Sequence, residues 1–125
     1  MKRAINLYTT PEQSKRLIAI GAPKDSADMC YFDFGCGFVP YSNSKNIDDY
    51  YQKVDYNDPR FLPCWSAANL MYIYDVCVMR DRRGFFRLYH DISDFEENGG
   101  ICENMVRLLE NCAKFAEIDF SQMEE

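Results

Sequence analysis

The chain has 125 residues, which is long enough for one hydrophobic core and too short for two, so we expect a single domain over residues 1–125. Hydrophobic residues make up 47% and aromatic residues 15% of it, and this content excludes a disordered chain. The formal net charge of −6 disfavours nucleic acid as a partner, and no apolar run approaches the length that spans a membrane.

Charge is distributed unevenly along the chain. Residues 1–24 carry five basic side chains and one acidic side chain, whereas residues 94–125 carry two basic and nine acidic ones. Acidic stretches of this kind are usually solvated helix faces. We favour that interpretation over a dedicated basic partner or mimicry of nucleic acid.

The cysteine content is high enough to raise the question of disulfides or a metal site. The spacing argues against both, because no C-x-x-C pair occurs and His90 is the only histidine. The apolar stretch after Met1-Lys2-Arg3 is too short for a secretory signal. We therefore expect a cytoplasmic protein with free, mostly buried thiols and with no cofactor or metal. The cysteines are Cys30, Cys36, Cys64, Cys77, Cys102 and Cys112.

The first predicted helix begins at Pro11 and ends near Gly21. Thr10 is suited to the N-cap, and Gln13 lies three residues later, where the partner in a capping box belongs. Gly21 followed by Pro23 is typical of a helix end.

Residues 29–34 and 38–41 predict a β-hairpin with glycines in its turn. Pro40 has no N–H group, so the second strand should lie at an edge of the sheet or end there. Gly35-Cys36-Gly37 could also be part of a phosphate-binding loop, but no lysine or helix start follows, and we favour the hairpin.

Residues 42–60 predict an irregular, insertion-like segment rich in Asn and Asp. It carries three tyrosines, Tyr50, Tyr51 and Tyr56, which could form an interaction surface because aromatic rings offer contact area at low entropic cost. The alternative, which we favour, is that they cover the edge of the core.

The only tryptophan, Trp65, precedes a strongly apolar run that predicts a central buried helix. Ser66 is placed to cap this helix from Ala67 onward. Trp65 is placed to pack onto Leu70 as a hydrophobic staple. We therefore interpret Trp65, Ser66 and Leu70 as structural anchors.

Three stretches resemble a family of short uncharacterised open reading frames found in gut Bacteroidales genomes and in their phages or other mobile elements. They are Thr10-Pro11-Glu12-Gln13-Ser14-Lys15-Arg16-Leu17, Ala27-Asp28-Met29-Cys30-Tyr31 and Leu62-Pro63-Cys64-Trp65-Ser66. No activity, cofactor or catalytic residue is associated with that family, so the resemblance implies a bacterial cytoplasmic origin and nothing about chemistry. The chain departs from the pattern at residues 42–60, and at Arg80, where a proline often closes the central helix.

Residues 85–92 predict a strand that contains His90 and Asp91. Neighbouring strand residues point to opposite faces, so these two cannot pair as a general base would require. A basic cluster next to this strand could contact an anion or nucleic acid, but we favour local pairing with acidic side chains. The cluster consists of Arg80, Arg82, Arg83 and Arg87.

The last predicted helix covers residues 101–118, and its apolar side chains form a regular seam. We expect this seam to pack on the protein's own sheet rather than on a second copy. Residues 119–125 predict a frayed tail. The seam residues are Ile101, Met105, Leu108, Cys112 and Phe115.

Together these elements predict a two-layer α+β fold, with a small, mainly antiparallel sheet of about three strands packed with about three helices. The open edges of such a sheet are compatible with a monomer or a homodimer. We favour a non-catalytic protein-interaction domain or mobile-element accessory factor, which would use the tyrosine segment or the acidic last helix. The alternative is a thiol-dependent enzyme or metal-binding protein that uses Cys30, Cys36 and Cys64.

Overall fold

The computed structural model of the chain describes residues 7–41, 54–78 and 100–123. Within these ranges the fold is α+β, with a three-stranded antiparallel sheet and three α-helices, as the sequence predicted. The predicted strand over residues 85–92, with His90 and the basic cluster beside it, lies outside the described residues.

The elements follow one another as a helix, a hairpin, a third strand and two further helices. We label them α1 (Pro11–Ala19), β1 (Met29–Asp33), β2 (Phe38–Tyr41), β3 (Phe61–Cys64), α2 (Ala67–Cys77) and α3 (Ile101–Lys114), with short 3₁₀ helices at Lys24–Ser26 and Phe120–Met123.

Both ends of α1 have the predicted local chemistry. The Gln13 N–H donates to Thr10 Oγ1 (3.2 Å) and the Thr10 N–H donates to Gln13 Oε1 (3.0 Å), which is the reciprocal capping box. At the other end Gly21 adopts a φ of 98°, a conformation that glycine reaches without strain.

In the sheet β1 is the central strand, because the strand order is β2-β1-β3. The predicted β1–β2 hairpin is confirmed, with Phe32 opposite Val39. The third strand, however, is β3, which the sequence indicated only as an extended approach to α2. Its central proline, Pro63, lies opposite Cys30.

Each outer strand carries a proline whose nitrogen faces away from β1. The Asp33 N–H donates to the Arg60 carbonyl (2.8 Å), so alternate β1 residues, including Tyr31, turn their backbone groups toward β3. Tyr31 pairs with Pro40 and Cys30 pairs with Pro63, and both prolines therefore occupy outward-facing positions. Both edges of the described sheet lack an outward N–H donor at these prolines.

The two faces of the sheet pack against different surroundings. On one face Tyr31, Leu62 and Cys64 form a buried cluster that Ile18 of α1 packs against. On the other face Cys30, Phe32 and Phe61 are buried, as register and strand alternation require.

The largest core cluster lies between the helices and contains Trp65 and Leu70, both 0% exposed. Ser66 caps α2 as predicted, since Ser66 Oγ accepts from the Asn69 N–H at 3.1 Å. In α3 the predicted seam is buried at Met105, Leu108 and Cys112. The prediction that it packs on the sheet is wrong, because these residues cluster with α1 and α2.

The predicted extension of the last helix to residue 118 is wrong, because α3 ends at Lys114. Ala116 has a φ of 57°, and the N–H groups of Ala116 and Glu117 donate to the Ala113 and Cys112 carbonyls. This is the Schellman arrangement that closes a helix. Phe115 consequently leaves the seam and is 74% exposed.

The chain beyond α3 differs from the frayed tail that the sequence predicted from residue 119. Phe120 and Met123 belong to a 3₁₀ helix and pack against the main core. The Asp119 N–H also donates to the Cys77 carbonyl at 2.9 Å, which ties this segment to the end of α2. No helix among the described residues is long and apolar enough to cross a membrane.

Candidate interaction surface

Of the three tyrosines predicted as an interaction surface, only Tyr56 lies within the described residues. It is half-buried and packs against the cluster of Cys30, Phe32 and Phe61. Its hydroxyl donates to the Met29 carbonyl at 3.5 Å, and burial is the main cause that raises its pKa well above the ordinary tyrosine value. Tyr56 therefore covers part of the sheet, in agreement with the alternative interpretation of this residue.

The face of the sheet that Tyr56 borders is lined by four aromatic rings, which we call the aromatic face: Phe32, Phe34, Tyr41 and Phe61. The Phe32 ring centroid lies 4.5 Å from that of Phe34, 4.8 Å from that of Phe61 and 5.3 Å from that of Tyr41. These separations, with mostly steep interplanar angles, are favourable for edge-to-face packing.

Exposure is concentrated at one side of the aromatic face. Phe34 is 69% exposed and Val39 is 42% exposed, whereas Phe32 and Phe61 are buried. The position of Phe34 on this face could have been read from the sequence, because residues 30, 32 and 34 lie on the same side of an extended strand. Phe34 lies one residue past the end of β1. Sequence reasoning selected the tyrosines instead and missed Phe34.

The hairpin turn holds Phe34 in place. Asp33 Oδ1 accepts hydrogen bonds from the Gly35 N–H (2.7 Å) and the Gly37 N–H (3.1 Å). Gly35 and Gly37 have φ values of 114° and 104°, which residues other than glycine rarely adopt. Phe34 is thus presented on an ordered turn, with its ring edge-to-face against Phe32.

A cation already lies on the aromatic face. Arg60 Cζ is 5.3 Å from the centroid of the Phe32 ring, within the range of a cation–π contact. The same guanidinium donates to Asp58, with Nη2 to Oδ2 at 2.6 Å. An aromatic surface and a paired arginine therefore adjoin one another.

The structure does not bring together the three cysteines of the thiol alternative. Cys30 lies on the aromatic face and Cys64 on the α1 face of the sheet, while Cys36 is exposed in the hairpin turn. Burial raises the pKa of Cys30 to about 11 and also raises that of Cys64, which opposes thiolate formation. Among the described residues no three His, Cys, Asp or Glu side chains are grouped as metal ligands.

The acidic last helix is engaged in contacts within the protein. Arg16 of α1 donates to Glu103 (Nη1 to Oε1, 2.8 Å) and to Glu110 (Nη2 to Oε1, 2.7 Å). Gln13 and Arg107 also donate to Glu103. Two of its carboxylates thus join α1 to α3, which weakens the case for this helix as a partner-binding surface.

Residues near Thr10, Asp28 and Ser66 meet in space, although their long-range contacts were not predicted. Asp28 accepts from the Ser66 N–H (2.9 Å) and the Ser66 hydroxyl (2.5 Å) at the start of α2. The Tyr31 hydroxyl donates to the carbonyl of the fully buried Thr9 at 2.6 Å. These contacts hold the N-terminal segment, sheet and α2 together, and their role is structural.

The chain matches no protein-family model, no curated protein sequence and no solved structure.

Proposed function

We propose that this chain is a non-catalytic protein-interaction domain that binds a partner protein through the aromatic face. In keeping with the resemblance of its sequence stretches, we place it in the bacterial cytoplasm as an accessory factor of a phage or mobile element. No cofactor is required for this role.

The observation that carries the proposal is the exposure of Phe34 on an ordered turn. Large aromatic side chains are enriched at the energetic centres of protein interfaces. An exposed phenylalanine also loses contact with water when a partner covers it, which contributes about 25 cal/mol for each Å² of apolar surface buried. Phe34 is 69% exposed and is backed by buried rings, so a partner would meet a rigid apolar surface.

The proposal is tested by photo-crosslinking in a bacterial host. The photoreactive residue p-benzoylphenylalanine replaces Phe34 in one variant and Phe115 in the other. Phe115 is a matched control because it is also a phenylalanine and is 74% exposed, but it lies at the end of α3. We expect a discrete crosslinked protein, identified by mass spectrometry, from position 34 and not from position 115.

Two results would contradict the proposal. One is the absence of any crosslinked protein at position 34 while the variant is folded, as judged by circular dichroism. The other is the same set of adducts at both positions, which would indicate nonspecific contact with exposed phenylalanines.

A further inference from the structure

We infer that the partner of the aromatic face is a positively charged protein segment that places an arginine side chain on Phe34. This inference rests on the proposed function and specifies the chemistry of the partner. A guanidinium is planar and weakly hydrated, and it stacks on aromatic rings more readily than an ammonium group does.

The first support is the guanidinium that the protein itself places on this face. Arg60 lies over the Phe32 ring at 5.3 Å. Phe32 is only 6% exposed, so its ring has little room for a second cation. The neighbouring Phe34 ring, 4.5 Å away and 69% exposed, offers the same kind of surface to a cation from outside.

The second support is the charge around the face. Asp33 directly precedes Phe34, and the segment that packs on the face beside Tyr56 carries Asp55, while Asp58 of the same segment is paired with Arg60 and adds no net charge. Among the described residues, the hydrogen bonds that Asp33 and Asp55 accept come from neutral backbone N–H groups, which do not compensate the carboxylate charge. Tyr56 also lines a groove of about 580 Å³ together with Asp25, Asp55 and one basic residue, Lys24.

This local acidity agrees with the net charge of −6 for the whole chain. Complementary charge raises association rates and disfavours partners of the same sign. A basic segment is therefore favoured over nucleic acid, whose phosphates would be repelled. A second copy of this chain would bring two acidic faces together.

The edge of the hairpin is poorly suited to the other common way of binding an extended peptide. Strand addition to β2 would need outward N–H donors, and Pro40 has none. Val39 and Phe34 nevertheless project their side chains on the aromatic face, so the peptide would bind on the face of the sheet and not along its edge.

The test is an NMR titration of the ¹⁵N-labelled full chain that follows the amides of Gly35 and Gly37. The probes are the capped peptide Gly-Arg-Leu-Arg-Gly and its counterpart in which citrulline, neutral and of similar shape, replaces arginine. We expect the arginine peptide to shift these amides and to bind about two- to fivefold more tightly than the citrulline peptide, the effect of an exposed cation–π contact. Added salt should weaken the arginine peptide selectively.

Variants identify the ring that is responsible. Phe34→Leu keeps an apolar side chain without the π system, and we expect it to abolish the preference for arginine over citrulline. Phe115→Ala should leave that preference unchanged. Because Phe34 is exposed, Phe34→Leu should fold normally, and the unperturbed amides of α3 verify this in the same spectra.

Equal affinity for the two peptides, or a preference that survives Phe34→Leu, would overturn the inference. So would stronger shifts of the same amides by a thymidine oligonucleotide, or concentration-dependent shifts without a probe that indicate self-association. If position 34 crosslinks a partner but the protein binds the two peptides equally, this inference is wrong while the proposed function stands. Absence of crosslinking at position 34 contradicts the proposed function, whatever the peptides do.

Discussion

At the scale of single residues, Asp28 occupies the place that a bound anion takes at the start of a helix. Its carboxylate accepts from the backbone and hydroxyl of Ser66, and Asn69 Nδ2 also lies within 3.4 Å. The positive end of α2 is thereby neutralised by the protein itself. We therefore do not expect phosphate-containing ligands at the start of α2.

The titration of Glu103 should be coupled to the stability of the fold. Burial alone would raise the pKa of Glu103, but hydrogen bonds from Arg16, Gln13 and Arg107 outweigh it and lower the pKa below the ordinary value of 4.5. The unfolded chain then takes up this proton more readily than the folded one. Stability from Glu103 is complete above about pH 5 and is lost as the pH falls through 4.5 and below.

We expect Glu103→Gln to destabilise the protein by about 1 kcal/mol at pH 7, because the pair with Arg16 is partly exposed and screened. Urea unfolding at pH 7, 5 and 4 should show a flatter pH dependence than the wild type. The exposed Glu12→Gln serves as the control. An unchanged pH profile in Glu103→Gln would show that this carboxylate is not coupled to folding.

At the scale of elements, helix starts could be predicted from the sequence and one helix end could not. The caps of α1 and α2 depend on contacts within three residues, such as Thr10 with Gln13, which leave a clear local pattern. The end of α1 carries the usual glycine, Gly21, whereas α3 ends with Ala116 in the same left-handed region. Because no glycine marks the end of α3, that end could not be predicted from local sequence.

Replacing Ala116 with glycine should stabilise the protein. Alanine at a φ of 57° carries a steric cost that glycine avoids. We expect Ala116→Gly to raise the free energy of unfolding by about 1 kcal/mol. Ala113→Gly, inside the last turn of α3, should instead lower it by about 1 kcal/mol. The urea midpoints of the two variants should therefore move in opposite directions. A shift of both midpoints in the same direction would contradict the left-handed conformation of Ala116 at the end of α3.

At the scale of the whole molecule, the fold class could be predicted because it depends on the number and order of apolar segments. The identity of the third strand could not be predicted, because Pro63 lies within the four-residue segment Phe61–Cys64 and proline argues against a strand. The proline is tolerated because its nitrogen faces away from β1 at an edge of the described sheet, which is a property of the assembled sheet. The exposed part of the aromatic face was missed for a similar reason, because exposure of Phe34 depends on what packs around it.

The distribution of thiols over the fold gives a direct prediction. Five of the six cysteines are buried and only Cys36 is exposed. We expect a maleimide at neutral pH to add one label to the native protein, with six labels after unfolding in urea. Intact-mass measurement provides the count, and Cys36→Ser should reduce native labelling to zero. Rapid addition of two or more labels would show that a second thiol is accessible and would revive the thiol-dependent alternative.

The ion pairs from Arg16 to Glu103 and Glu110 can form only late in translation, after α3 has been synthesised. Their partners are separated by 87 and 94 residues, so α1 leaves the ribosome long before the helix that it pairs with. At typical translation rates this interval is on the order of several seconds. During that time Trp65 and the apolar side of α2 have been made but still lack α3 as a cover. The apolar surface that α3 covers in the folded protein therefore stays exposed in the nascent chain until α3 has emerged.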